Sequence, residues 1–201
     1  DSLSTIGGKS LYAGFDAGLA LAIPSQYFST ALIIDSYLDV QTFLSIDGTD
    51  DAAIRGALSG TSLPDLGSEA VAIGANVTQV GLAFAKKFDI GPNGLSLGFT
   101  PKVQRIEVLN IAVGLDDDAD DISDDFSESK YRSDDTAVNF DLGAAFHASE
   151  NWTFGLAVRD VMGSDLASKT TSGRTFTYDL SPVVTAGAAY NGETITVAAD
   201  V

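Results

Sequence analysis

Cysteine is absent from the 201 residues, and histidine, tryptophan and methionine occur once each. Without a thiol there is no disulfide framework, no thiolate metal site and no cysteine nucleophile. The compartment stays open, because a cysteine-free chain suits an oxidising periplasm and a reducing cytosol alike. His147, the single histidine, has no second histidine, serine elbow or cysteine from which to build a triad. It reads as a turn or interface residue, and no enzyme and no cofactor are expected. Basic residues are scarce as well: 11 against 28 acidic ones give a formal net charge of −17, which argues against nucleic acid as a partner. Long apolar runs are missing too. The uncharged stretch 17–34 is broken by Pro24-Ser25-Gln26 and alternates on both sides, so it reads as a hairpin and not as a spanning helix of roughly 20 residues. No basic-then-apolar leader precedes Asp1, as expected of a chain whose signal peptide is removed or absent.

What is present is alternation. The apolar fraction of 45% predicts a folded chain. In residues 13–23 the odd positions Phe15, Leu19, Leu21 and Ile23 are large and apolar, with Gly14, Asp16, Gly18 and Ala20 between them. Such period-2 patterning predicts strands with one greasy face. The same grammar recurs at Phe28, Leu32, Ile34 and Leu38, at Val80 to Phe88, at Leu95 to Val103, and at Phe140, Leu142, Phe146, Trp152, Phe154, Leu156 and Val158. Near the end, "YDLSPVVTAGAAY" and "TITVAADV" flank Asn191-Gly192, a hairpin signal. About eight strands are readable, several longer than the soluble mode of about 5 to 6 residues. The apolar parity switches between Val77 and Val80, which predicts a β-bulge there or the true start of that strand. "DDAAIRGALSG" is the one plausible short helix.

Breaks between strands alternate in length. Short ones fall at 24–26, 89–94, 148–151 and 191–193, and long polar ones at about 46–68, 114–135 and 162–176. In an antiparallel meander this sorts tight turns to one end and long loops to the other, as in bacterial outer-membrane barrels. The predicted fold is therefore all-β, an antiparallel up-and-down transmembrane β-barrel forming one domain over 1–201, incomplete at one or both ends. Lipid would cover the greasy face at Phe28, Leu32, Phe84, Leu97, Phe99, Phe140, Leu142, Trp152, Phe154 and Leu156. Tyr27, Phe88 and Tyr190 beside the short turns would join an aromatic girdle. The alternative is a soluble lipocalin-like or sandwich-type binding module with no membrane role.

The other face carries a polar set: Asp16, Asp35, Asp39, Lys102, Gln104, Asn139, Asp141, Arg159 and Asp200. Charges inside a narrow barrel must pair or meet water, so Lys102 and Arg159 are expected to compensate neighbouring aspartates. The set is either a structural ion-pair network or a lining that guides a solute. The acidic run at 116–135 is either a solvated rim or a calcium or other divalent-ion site at Asp116, Asp118, Asp120 and Asp121. Its spacing matches no EF-hand loop. "GANVTQVG" lacks the lysine and the strand-to-helix context of a phosphate loop.

Gly98-Phe99-Thr100-Pro101-Lys102-Val103-Gln104-Arg105, Asn139-Phe140-Asp141-Leu142-Gly143 and the strand end Gly155-Leu156-Ala157-Val158-Arg159-Asp160 resemble the barrel-type conjugal transfer protein TraF family, itself similar to FadL-type hydrophobic-solute channels. The resemblance implies an outer-membrane barrel that conducts a small hydrophobic or amphipathic solute, porin-like in transport, or serves the envelope in conjugation. FadL-like barrels begin with a small-residue plug segment and have more strands than are readable here. Outer-membrane barrels commonly end in an aromatic residue, and Val201 is not one.

Overall fold

The computed structural model describes residues 9–23, 27–60, 66–114 and 129–201. Eight strands form one antiparallel sheet, curled into a half-barrel. In spatial order they are β1 (Ser10–Ile23), β2 (Ser29–Ser45), β3 (Glu69–Ile90), β4 (Asn93–Gly114), β5 (Arg132–His147), β6 (Trp152–Arg159), β9 (Val183–Asn191) and β10 (Thr196–Asp200). The meander is interrupted once, between β6 and β9, where β7 (Ser164–Ala167) and β8 (Thr177–Leu180) form a separate two-stranded hairpin. That hairpin packs on the concave side of the curl. The sheet is open, since β1 and β10 lie at its two edges and are not paired with each other.

Connections sort by length as the sequence predicts; among the described residues, helix α1 (Asp50–Leu58) lies in the first long loop and a 3-10 turn at Ser129–Tyr131 precedes β5. The tight β3–β4 turn uses Gly91 at φ +61°, a left-handed conformation that glycine adopts without a Cβ penalty. At the β5–β6 turn the Ser149 hydroxyl accepts the Trp152 amide at 3.1 Å. The turn after Asn191 is closed by the Gly192 amide on the Ile195 carbonyl at 2.9 Å.

Three expectations are corrected. No bulge separates Val77 from Val80: the β3–β4 register runs unbroken from Glu69 opposite Gly114 to Ile90 opposite Asn93, on both sides of Pro101. Nor does β3 begin there, since it starts at Glu69. The parity switches because a different face is covered. Toward the long-loop end the concave face is apolar, and Val77, Ile106 and Val108 are buried there with Leu180 against Leu166, Tyr178 and Tyr37. Toward the tight-turn end the convex face is apolar instead. Third, "YDLSPVVTAGAAY" is not one strand, because the chain leaves β8 at Ser181-Pro182 and re-enters the sheet as β9; proline lacks the amide a ladder needs.

Candidate functional site

Alternation in β2 to β5 aims Asp35, Gln79, Lys102, Gln104, Asn139 and Asp141 at the concave side, where register places Gln79 opposite Asp35 and Gln104, and Lys102 opposite Asn139. The Lys102 ammonium lies 2.7 Å from Asp141 Oδ1 and 2.8 Å from Asp160 Oδ1, with its side chain 3% exposed. Gln104 Nε2 donates to Asp160 Oδ1 at 2.7 Å and to Gln79 Oε1 at 2.8 Å, and Gln79 Nε2 donates to Asp35 Oδ2 at 2.8 Å. Asn139 Nδ2 reaches Asp160 Oδ1 at 3.5 Å, while its Oδ1 accepts the Met162 amide at 3.0 Å. A buried ion pair offsets its desolvation only when the remaining polar atoms are also bonded. Here Asp141 also accepts the Asp160 amide at 2.9 Å. One atom is left over: Gln104 Oε1 is buried without a partner.

Five of the nine sequence-predicted polar residues, Asp35, Lys102, Gln104, Asn139 and Asp141, therefore join one network. Asp39 accepts the Tyr12 hydroxyl separately. Asp16, Asp35, Asp39, Arg159 and Asp160 line a cavity of about 440 Å³ beside the hairpin. Arg159 does not pair as expected. It is exposed and makes no ion pair among the described residues, whereas Lys102 pairs with two aspartates as expected. Asp200 sits apart, exposed opposite Gly187 in β9, in a trough of glycines and alanines. Asp116, Asp118, Asp120 and Asp121 lie outside the described residues. His147 shares a hydrogen bond with the Thr153 hydroxyl at 3.0 Å across β5 and β6.

Two members of the network, Gln79 and Asp160, were not singled out from the sequence. Asp160 follows β6 with φ 55°, in the left-handed region that Asp tolerates better than most residues. That turn swings its carboxylate back over Lys102. A second polar anchor sits at the hairpin tip. Asn110 Nδ2 donates to the carbonyls of Lys169 at 2.8 Å and Arg174 at 3.0 Å. Arg174 in turn bonds Glu69 at 2.9 Å and the Ser45 hydroxyl at 2.7 Å.

The ten aromatic and aliphatic residues named above share the opposite, convex side: Leu97 lies opposite Ala144, Phe99 opposite Leu142, Phe140 opposite Pro101, and Trp152 opposite Tyr190. Phe99 packs on Phe140 at 5.7 Å between ring centroids, and Trp152 on Tyr190 at 5.1 Å. Phe154 and Leu156 remain 47% and 50% exposed, so among the described residues no protein layer covers this part of the face. Past Val80 and Val103 the convex side of β2 to β5 carries a polar belt, while Leu38 in β2 and Leu11 and Phe15 in β1 stay apolar and exposed at and above that level. Ser36 bonds Asn76 and Thr78 at 3.0 Å each, Asn76 bonds Glu107 at 3.3 Å, and Arg105 reaches Glu107 at 3.1 Å and Asp134 at 3.6 Å.

A profile of the family described as "F plasmid transfer operon, TraF, protein" matches residues 1–201. The chain belongs to the TraF family. A search of curated proteins and a search of solved structures each returned no match. A cysteine-free TraF chain built on a curled β-sheet has no thiol chemistry to offer. Its polar inventory is concentrated instead where the hairpin meets the wall, and the family ties it to conjugal transfer and the cell envelope.

Proposed function

We propose that this chain is wall and internal hairpin of a bacterial outer-membrane β-barrel, a non-enzymatic envelope protein of conjugal transfer. One observation carries the reading: an uncovered apolar band on the convex face that ends at a hydrogen-bonded polar belt. From Ile90 to Val80 the band spans ten residue steps of β3, and Lys86, which shares its face, lays its ammonium 5.4 Å from the Phe88 ring centroid. At about 3.3 Å per residue and a tilt near 45° it rises about 23 Å, against an apolar band about 25 Å tall in outer-membrane barrels. The tight turns would face the periplasm, and the polar belt of Ser36, Asn76, Thr78, Glu107 and Arg105 would stand at the outer headgroups. Trp152 and Tyr190 at the tight-turn end suit the opposite interface.

Trp152 is the single tryptophan and tests this directly. Reconstituted into vesicles with brominated acyl chains, the protein should show quenched tryptophan emission and migrate on gels according to whether it was heated. A protein that stays in solution without detergent and shows no quenching is the soluble binding module instead. Kinship with FadL-type channels belongs to the same proposal. Its support is the polar concave lining, and its measurement is uptake of a small hydrophobic or amphipathic solute above that of empty vesicles.

A further inference from the structure

We infer that the β7–β8 hairpin is a displaceable plug, latched by Lys102 and its two aspartates and pinned at its tip by Asn110, so that releasing the latch opens the interior. The inference rests on the barrel reading. The hairpin occupies the concave side, where anything crossing the barrel would have to pass. Its own strands are four residues each, and of them only Leu180 joins the buried apolar cluster outright, with Leu166 and Tyr178 partly buried. The wall beneath it is a 22-residue strand pair, β3 and β4. An element with so few apolar contacts opens before the sheet that carries it.

Its polar anchors are also incomplete. Gln104 Oε1 at the base and Asn110 Oδ1 at the tip are both buried without a partner, a cost the seated state bears and an opened, hydrated one would not. The connections are suited to a swing: Asp160 and Gly163 hold φ 55° and 63° at one end, and Ser181-Pro182 joins the other. There is room to move. A cavity of about 150 Å³ between Tyr12, Ile73, Val108, Phe176 and Tyr178 lies along the hairpin, and the cavity of about 440 Å³ beside Leu180 and Asp160 adjoins its base. Between anchors the contact is mainly apolar, with a hydrogen bond between the Tyr37 and Tyr178 side chains. Lys102 supplies the charge that holds Asp141 and Asp160 together, so its removal leaves two carboxylates that drive each other apart.

The absence of cysteine makes the test clean. In the full chain, Leu180→Cys places a reporter that is 7% exposed in the seated hairpin, and its reaction rate with a water-soluble maleimide measures opening. Lys102→Met should raise that rate about tenfold or more without altering heat-dependent migration, and Lys102→Arg should leave it near the parent's. Should Lys102→Met not fold, Asn110→Ala at the tip takes its place. In vesicles, Asn110→Cys paired with Ser168→Cys, whose parent side chains are 3.3 Å apart, should abolish ion conductance when oxidised and restore it when reduced. An unchanged labelling rate in the folded variant overturns the inference. So does faster labelling with equal conductance in oxidised and reduced protein. Failure of the barrel reading looks different, because the parent itself would then show no heat-dependent migration.

Discussion

Val77 and Val80 lie three residues apart on one unbroken strand and meet opposite surroundings: Val77 is fully buried against Ile106 under the hairpin, and Val80 is 47% exposed on the convex side. The sheet changes which face is greasy at this level while its register continues. Below it, the apolar face looks outward and the inner one is lined by glycine, alanine and serine. Above it, an apolar cluster looks inward, and the outer face of β3 to β4 carries Asn76, Thr78, Arg105 and Glu107, with exposed apolar Phe15 and Leu38 beside them in β1 and β2. A single strand pair thus serves two environments along its length.

Charge added to the convex face should be tolerated better above that level than below it, where the resident Lys86 lies over the Phe88 ring. Leu142→Lys, between Phe99 and Val158 in the apolar band, is expected to cost about 2–4 kcal/mol in a bilayer, and Thr78→Lys, in the polar belt, about 0–1 kcal/mol. Denaturant unfolding from lipid vesicles measures both. Equal costs at the two positions would deny that the band is lipid-covered.

Truncation separates the two kinds of apolar contact. Ile106 is fully buried beneath the hairpin, so Ile106→Ala should leave a cavity and cost about 2–5 kcal/mol. Val103 lies three residues away on the other side of β4 and is 50% exposed. Val103→Ala should cost about 1 kcal/mol or less, because a half-exposed side chain loses little buried surface. Thermal unfolding in detergent micelles ranks the two.

The long strands were legible because alternation and loop length agree over most of the chain. The hairpin was not. Ser164-Asp165-Leu166-Ala167 and Thr177-Tyr178-Asp179-Leu180 are too short to show a period, and "YDL" ran on into the following strand pattern. The buried inner residue Val77 read as the edge of a bulge or of a strand because parity reports which face is apolar and not what covers it. Lys102, Gln104, Asn139 and Asp141 followed strand parity onto the concave side and were legible. Asp160 has the parity of Val158, which points outward; only its left-handed turn brings it in, and alternation carries no sign of that. Arg159 has the right parity, yet of the two cations expected to pair with aspartates only Lys102 does so among the described residues.

Asp160 contributes both a charge and a backbone conformation, and two substitutions divide them. Asp160→Gly keeps the left-handed turn and removes the acceptor shared by Lys102, Gln104 and Asn139. Losing a buried acceptor from such a set is expected to cost about 1–3 kcal/mol. Asp160→Ala removes the same carboxylate and also forces a Cβ into the left-handed region with no side-chain polar group to compensate, adding about 1 kcal/mol. The comparison is a pair of unfolding midpoints. If alanine proves no worse than glycine, the turn relaxes and the conformation is not required.

At the opposite end of the sheet, acid should loosen the join between α1 and β3. The Thr49 hydroxyl and amide donate to Asp47 at 2.7 and 2.8 Å, and these bonds hold its carboxyl below the usual aspartate value. The Ser68 side chain, with the amides of Gly67 at 3.1 Å and Ser68 at 2.7 Å, does the same for Asp50. A carboxyl whose folded pKa is depressed binds protons more weakly than in the unfolded chain. Its stabilisation is therefore fully present above the unfolded value near about 3.9 and is lost as pH falls through the lower folded value. Hydrogen exchange at the Gly67 and Ser68 amides should accordingly accelerate below about pH 4 relative to the β3–β4 ladder. Asp50→Asn should bring that acceleration to neutral pH and abolish its pH dependence. Exchange that follows the whole sheet at every pH would mean that the carboxylates do not hold this join.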